Sequence, residues 1–126
     1  MVNHRNIPLA IAGTFGALGV AMGAFGAHAL RPTLTELGTI EVWKTAVAYQ
    51  MWHALLLAFL AQQPALKCER MIRNCLVTGV VLFSGSLYGL ALAGPPWLGP
   101  ITPIGGLLLI VSWLLCIQAA LRNTGH

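Results

Sequence analysis

Three long stretches of the sequence carry no Asp, Glu, Lys or Arg, at residues 6–30, 45–66 and 74–121. A transmembrane helix needs about 20 mainly apolar residues, so the first two stretches supply one span each and the third is long enough for two. Apolar residues follow one another without the alternation that marks strands. Because 57 % of the residues are hydrophobic and only 8 % are charged, the chain has too few polar side chains to cover a water-facing surface.

The third stretch is interrupted in its middle. Residues 94–100 read GPPWLGP, and proline cannot continue a helix there because it lacks the amide hydrogen and clashes with the preceding turn. We therefore predict an all-α membrane protein, a single domain over residues 1–126 in which four transmembrane helices form a compact bundle. The predicted spans are residues 7–30, 43–63, 74–93 and 103–121.

The basic residues predict the orientation of the bundle. The net charge is +4, but the cations form no basic helix face, so nucleic acid is not an expected partner and the lipid bilayer is. With four spans, one side of the membrane holds Arg5, Lys67, Arg70, Arg73 and Arg122, and the other holds Arg31 and Lys44. This excess predicts that both termini lie in the cytoplasm. The first apolar run is longer than the core of a signal peptide, so we expect it to remain as a span.

The connection over residues 31–42 predicts a short helix. Thr33 is followed three residues later by Glu36, the spacing of a capping box. We expect this helix to lie in the outer membrane interface, anchored by Trp43, with Trp97 of the last loop in the same interfacial belt. Its apolar side would consist of Leu34, Leu37, Ile40 and Trp43.

Glycines recur every three or four residues along the first span. Since helices in lipid associate by close packing, small residues mark contact faces. The stripe indicates packing inside the bundle, a subunit interface or, as a third alternative, the lining of a pore. The glycines assigned to helix packing are Gly13, Gly16, Gly19, Gly23 and Gly26 on the first span and Gly85 and Gly89 on the third.

Polar side chains inside the spans are the candidate site. Hydrocarbon offers them no hydrogen-bond partner, and ionisable residues at that depth are functional candidates by default. They form either a structural network between helices or a solute or proton site centred on His53, and we expect His28, near the outer end, to cap or anchor a loop. The predicted cluster comprises His28, Tyr49, Gln50, His53, Ser84, Ser86 and Tyr88.

Chemistry beyond hydrogen bonding is not indicated. His28 and His53 lie at different depths, and the sequence has no Cys-x-x-Cys or His-x-x-x-His spacing, so we predict no metal and no cofactor. No span contains a carboxylate, and the serines lack a histidine–carboxylate relay, so we predict that the protein is not an enzyme. We expect the three cysteines to be free thiols that pack as small apolar residues.

Several segments resemble a bacterial family of small membrane proteins of unknown function, the one that includes YgdD and YwdK. The most specific segments are GAFGAHAL at residues 23–30 and LFSGSLY at residues 82–88, and TPIGG follows at residues 102–106. The resemblance implies a four-helix protein of the bacterial inner (cytoplasmic) membrane and brings no biochemical role. Ser112 stands before Trp113 where the family pattern implies glycine, which adds a hydroxyl at mid-membrane depth.

Two functions follow as hypotheses. The first is a non-catalytic accessory or scaffold subunit, in a homo-oligomer or a larger membrane complex, because the first span carries a glycine stripe and the spans carry no charge. The alternative is a small oligomeric channel or carrier for a small neutral or weakly charged solute, because Tyr49, Gln50 and His53 share one helix face. Binding of quinone or haem through His53 and Trp52 is a weaker third hypothesis.

Overall fold

A computed structural model of the chain describes residues 6–63 and 66–123, and within these ranges every regular element is helical. The all-α prediction is therefore confirmed. Arg5, which entered the charge count, lies outside the described residues. The elements are α1 (Asn6–Ala27), α2 (Arg31–Leu37), α3 (Ile40–Leu60), α4 (Glu69–Ala91), a 3₁₀ turn (Pro96–Leu98) and α5 (Ile101–Asn123).

Among the described residues, three helices are long and apolar enough to cross a membrane. They cover Ile7–Ala27, Glu69–Ala91 and Pro96–Arg122. The remaining long helix, α3, has a sufficient length, but polar side chains such as Lys44, Gln50 and His53 lower its mean hydropathy. The predicted second span is thus a helix of the right length whose composition alone does not mark it as a span.

The long helices pack as neighbours in chain order, α1 on α3, α3 on α4 and α4 on α5. Consecutive helices are antiparallel, since Trp43 at the start of α3 lies against Gly26 at the end of α1. The main apolar core combines Leu57 of α3, Leu76 of α4 and Leu109 of α5. This order places α3 between α1 and α4, so that its polar side chains can reach both neighbours.

The start of α2 corrects the predicted capping box. The helix begins at Arg31 with Pro32 in its first turn, and no side chain caps it. Proline has no amide hydrogen to leave unpaired and its φ suits a first turn, so the helix starts two residues before Thr33 and that residue lies inside it. It ends at Leu37 and is capped by Gly38, whose φ of 69° is left-handed. Because the helix stops there, Leu37 is 43 % exposed and does not continue the predicted apolar side.

Trp43 is not an interfacial anchor. Its side chain is 2 % exposed, and its Nε1 donates to the carbonyl oxygen of Met22 at 2.8 Å. The indole lies where Gly26 has no side chain and meets the ring of Tyr88 edge-on at a centroid distance of 4.8 Å. Gly26 thus leaves room for the Trp43 indole between α1 and α3. From the sequence alone, this indole is predicted to lie at the membrane interface. Trp97 on the 3₁₀ turn is 64 % exposed.

Candidate functional site

Gln50 joins three helices. Its side chain is 6 % exposed, and its Nε2 donates to the carbonyl oxygen of Phe15 on α1 at 2.8 Å. The hydroxyl of Tyr88 on α4 donates to Gln50 Oε1 at 2.7 Å. The side-chain amide of Gln50 thus donates to α1 on one side of α3 and accepts from α4 on the other side. Such a group links helices directionally where apolar packing alone would allow them to slide.

Ser84 adds a second connection between α3 and α4. Its hydroxyl is buried and donates to the carbonyl oxygen of Ala46 at 2.7 Å. Ala46 is itself fully buried, so the backbones of the two helices approach closely at this point. The pair lies about one helical turn from Gln50, and the two connections together fix the register of α3 against α4.

His53 is held by both ring nitrogens. The side chain is 4 % exposed, with Nδ1 at 2.7 Å from the carbonyl oxygen of Tyr49. The indole Nε1 of Trp113 on α5 lies 3.1 Å from His53 Nε2 and donates to it. Since an indole nitrogen only donates, Nε2 must accept and Nδ1 must carry the proton that reaches Tyr49. The arrangement therefore specifies one neutral tautomer and leaves neither nitrogen free for a metal.

Trp113 belongs to the site through its bond to His53, although it is not among the residues predicted from the sequence. The signal that identifies it is its position in the middle of an apolar helix, because an indole N–H at that depth requires a partner. The neighbouring Ser112 is fully buried and donates to the carbonyl oxygen of Leu109 in its own helix at 2.6 Å. Its hydroxyl is thus satisfied locally and takes no part in the contacts between helices.

The remaining predicted residues do not join one cluster. Ser86 pairs with Thr102 Oγ1 at 2.6 Å between α4 and α5, away from Gln50. His28 follows the end of α1 in an exposed turn, where its backbone amide bonds the carbonyl oxygen of Ala24 at 3.1 Å. The ring of Tyr49 packs on Phe83 at a centroid distance of 4.5 Å. Of the predicted residues, the structure brings Tyr49 to His53 and Gln50 to Tyr88. Ser84 and Ser86 bond other residues, and His28 lies in an exposed turn.

The predicted packing glycines fall into two groups. Gly19, Gly23 and Gly26 face α3, opposite Met51, Val47 and Trp43, and Gly89 faces Leu98 of the 3₁₀ turn. The remaining predicted glycines face outwards, because a Cβ added to them would have no neighbour within 4 Å. They are Gly13, Gly16 and Gly85. A close backbone approach between helices involves Gly105, which the TPIGG segment contains, and Gly79, which is not among the glycines assigned to packing from the sequence. Their backbones touch where α4 crosses α5.

The contacts of the polar side chains in this arrangement are hydrogen bonds and ring contacts. Within residues 6–63 and 66–123, no three His, Cys, Asp or Glu side chains come together as a metal site would require. Every buried side-chain nitrogen or oxygen there has a hydrogen-bond partner. The expected free thiols are confirmed at Cys68, Cys75 and Cys116.

Residues 22–106 match the model of a family described as "Protein of unknown function (DUF423)". The chain belongs to this family. Its relatives include the UPF0382 membrane protein YwdK of Bacillus subtilis, which is 40 % identical over 83 % of this chain and 88 % of its own length. The UPF0382 inner membrane protein YgdD of Escherichia coli is 37 % identical over 90 % of this chain and 88 % of its own length. The resemblance inferred from the quoted segments is thus confirmed.

The relatives of this chain are not confined to bacteria. The UPF0382 membrane protein C1782.12c of Schizosaccharomyces pombe is 36 % identical over 82 % of this chain and 92 % of its own length. The bacterial character implied by the resemblance is therefore too narrow for the family. No solved structure matches the chain. The relatives show that this is a membrane protein, and their names carry no biochemical role.

Proposed function

We propose that the protein is a non-catalytic integral membrane protein that acts as an accessory or scaffold subunit in a membrane complex. The observation that carries this proposal is that every buried polar side-chain atom of the described residues is already bonded within the chain. The network around Gln50 and His53 then serves to hold four helices in register. A site that bound substrate would need open hydrogen-bonding groups.

In this proposal α3 is the fourth span. Its 21 residues extend over roughly 31 Å, close to the thickness of the hydrocarbon core. It packs along α1 and α4, both apolar enough to cross the membrane. Its charged residues, Glu41 and Lys44, lie in the first two turns, and Gln50 and His53 are buried. Helices α1 and α4 therefore shield the polar side chains that lower the mean hydropathy of α3.

The proposed orientation places both termini in the cytoplasm. Antiparallel α1, α3, α4 and α5 leave the α3–α4 connection and the end of α5 on one side. Described cations on that side are Lys67, Arg70, Arg73 and Arg122, against Arg31 and Lys44 on the other. The positive-inside rule assigns the more basic side to the cytoplasm.

The outward face of α1 is the surface proposed to meet a partner helix. Gly13 is exposed, Gly16 is half-buried, and Val20 one turn later is exposed. Neither glycine has a neighbour within 4 Å of the position a Cβ would take. Backbone surface that a neighbouring membrane helix could approach closely is thus available and unused by this chain. The partner in the proposal is a second copy or another membrane subunit.

Replacing Gly13 and Gly16 together with leucine is expected to abolish the assembly while the chain still folds. The new side chains extend outwards and keep a partner backbone at a distance. The measurement is native mass spectrometry of the tagged protein extracted mildly from its own membranes. Ala120 on α5 is also small and exposed, so Ala120→Leu is the matched control and is expected to leave the assembly intact. A wild-type protein that is monomeric in both mild detergent and lipid, with no partner, would contradict the proposal.

One polar group, the Tyr49 hydroxyl, favours the alternative function of a channel or carrier. The Tyr49 hydroxyl makes no hydrogen bond to the described residues, although its ring lies at the depth of Gln50. Flux of small neutral solutes into proteoliposomes tests this alternative, and the accessory proposal predicts no flux above that of protein-free vesicles. Flux that falls in a His53→Ala variant but not in a Trp52→Phe variant would replace the accessory proposal with a carrier.

A further inference from the structure

A groove of about 240 Å³ lies where α1, α2 and α3 meet, at the end of the bundle opposite the α3–α4 connection. Its walls are apolar apart from two cations at the mouth. A pocket that encloses a drug-sized ligand has roughly 300–1,000 Å³, so this groove suits one segment of a longer molecule. The residues that line it include Gly23, Ala27, Arg31, Trp43, Lys44 and Val47.

On the α1 side, the residues that line the groove carry no side chain larger than the methyl group of Ala27. Gly26 faces the indole of Trp43, and a Cβ on Gly23 would lie 3.5 Å from Val47 Cγ1. Trp43 cannot swing away to close the space, since its Nε1 is bonded to Met22 and its ring is buried. The floor is therefore fixed, apolar and free of unused hydrogen-bonding groups.

The two cations at the mouth are available to an anion. Arg31, in the first turn of α2, is exposed and has no acidic partner among the described residues. Lys44 pairs with Glu41 at 3.1 Å, but these side chains are 67 % and 84 % exposed. An ion pair so open to solvent contributes little and exchanges readily. Both cations lie at the ends of spans, where phosphate headgroups are found.

We propose that this groove binds an anionic phospholipid, with an acyl chain against Gly23 and Val47 and the phosphate between Arg31 and Lys44. Charge complementarity selects the headgroup, since guanidinium and ammonium groups are the usual ligands of phosphate. The apolar floor selects an acyl chain, the part of a lipid that extends beyond the groove into the bilayer. The inference depends on the four-span arrangement but not on the accessory role, because lipid binding is measured on the isolated chain.

The test is native mass spectrometry of the full chain in mild detergent, titrated with phosphatidylglycerol or with phosphatidylcholine of the same acyl chains. The wild type is expected to retain phosphatidylglycerol preferentially. In the double variant Arg31→Gln/Lys44→Gln the affinity should fall about 25-fold, since each cation near a membrane surface contributes about fivefold. The matched control Lys67→Gln/Arg70→Gln removes the same charge at the other end of the bundle and should change the affinity less than twofold.

A second pair of variants tests the groove without changing charge. Gly23→Leu places a side chain in the acyl position and is expected to weaken binding of phosphatidylglycerol. Ala27→Leu, at an exposed position on the same wall, should do the same if the first variant does not fold. Equal binding of the two lipids, an equal loss in the control pair, or displacement of the lipid by inorganic phosphate at the same concentration would overturn the proposal.

Discussion

Replacing Gly105 with alanine is expected to lower the free energy of unfolding by about 1–3 kcal/mol, the usual cost of inserting a methyl group into a full interior. The added Cβ would lie 2.8 Å from Phe83 Cα and 2.9 Å from the carbonyl oxygen of Gly79. These are backbone atoms of α4, which cannot rotate away as the end of a side chain can. The two helices would have to separate, and the Ser86–Thr102 bond beside them would lengthen.

The adjacent glycine provides the control for this experiment. A Cβ at Gly106 would lie 3.6 Å from Phe83 Cδ2, an ordinary van der Waals contact with a side chain. Because alanine also favours the helix over glycine by roughly 0.5–1 kcal/mol, Gly106→Ala should leave stability unchanged or raise it slightly. Unfolding by sodium dodecyl sulfate in mixed micelles, followed by circular dichroism, measures both variants. Equal stability of the two variants would show that α4 and α5 do not cross at Gly105.

Replacing Gln50 with leucine should cost about 1–3 kcal/mol of unfolding free energy, the penalty for leaving buried partners unsatisfied. The volume of the side chain is roughly kept, but the Tyr88 hydroxyl loses its acceptor and the Phe15 carbonyl loses a donor. Helices α1 and α4 would then be joined to α3 at this level by apolar contacts alone. The same micelle unfolding assay reports the change.

A double-mutant cycle isolates the bond between Gln50 and Tyr88. Gln50→Leu, Tyr88→Phe and the double variant should give a coupling energy of about 0.6–1.7 kcal/mol, the range for hydrogen bonds between membrane helices. Gln118 on α5 is exposed, and Gln118→Leu should change stability by less than about 0.5 kcal/mol. A coupling energy of zero would mean that the two side chains do not meet in the bilayer.

The long helices were predictable from the sequence because their cause is local. An uncharged apolar run has few alternatives to a helix, and GPPWLGP at residues 94–100 interrupts it by removing backbone donors. The helix ends were less accurate, since Pro32 and Gly38 fix α2 through backbone conformation and not through the apparent capping box. Polar residues within the spans were also recognisable, because hydrocarbon leaves them no partner but each other.

The partners of those residues were not predictable, because they depend on how the helices rotate. Gln50 and His53 are three residues apart on α3, yet Gln50 reaches Phe15 and Tyr88, whereas His53 reaches Trp113. Trp43 was assigned to the interface from its residue type, and only the space above Gly26 explains its burial. The spacing of residues along one helix predicts which side chains share a face. It does not predict which neighbouring helix that face contacts.

The central position of α3 has a consequence for how the chain is made. In the four-span arrangement, some polar groups of α3 bond a segment already synthesised: Gln50 bonds the Phe15 carbonyl and Trp43 bonds the Met22 carbonyl. The acceptors Gln50 Oε1 and His53 Nε2 obtain their donors, Tyr88 and Trp113, from segments still to come. When the ribosome has completed α3 and not yet α4, Gln50 Oε1 and His53 Nε2 face lipid without donors. If α3 is the fourth span, we expect it to enter the membrane beside α1 as a hairpin and to reach its final depth only after α4 and α5 have entered.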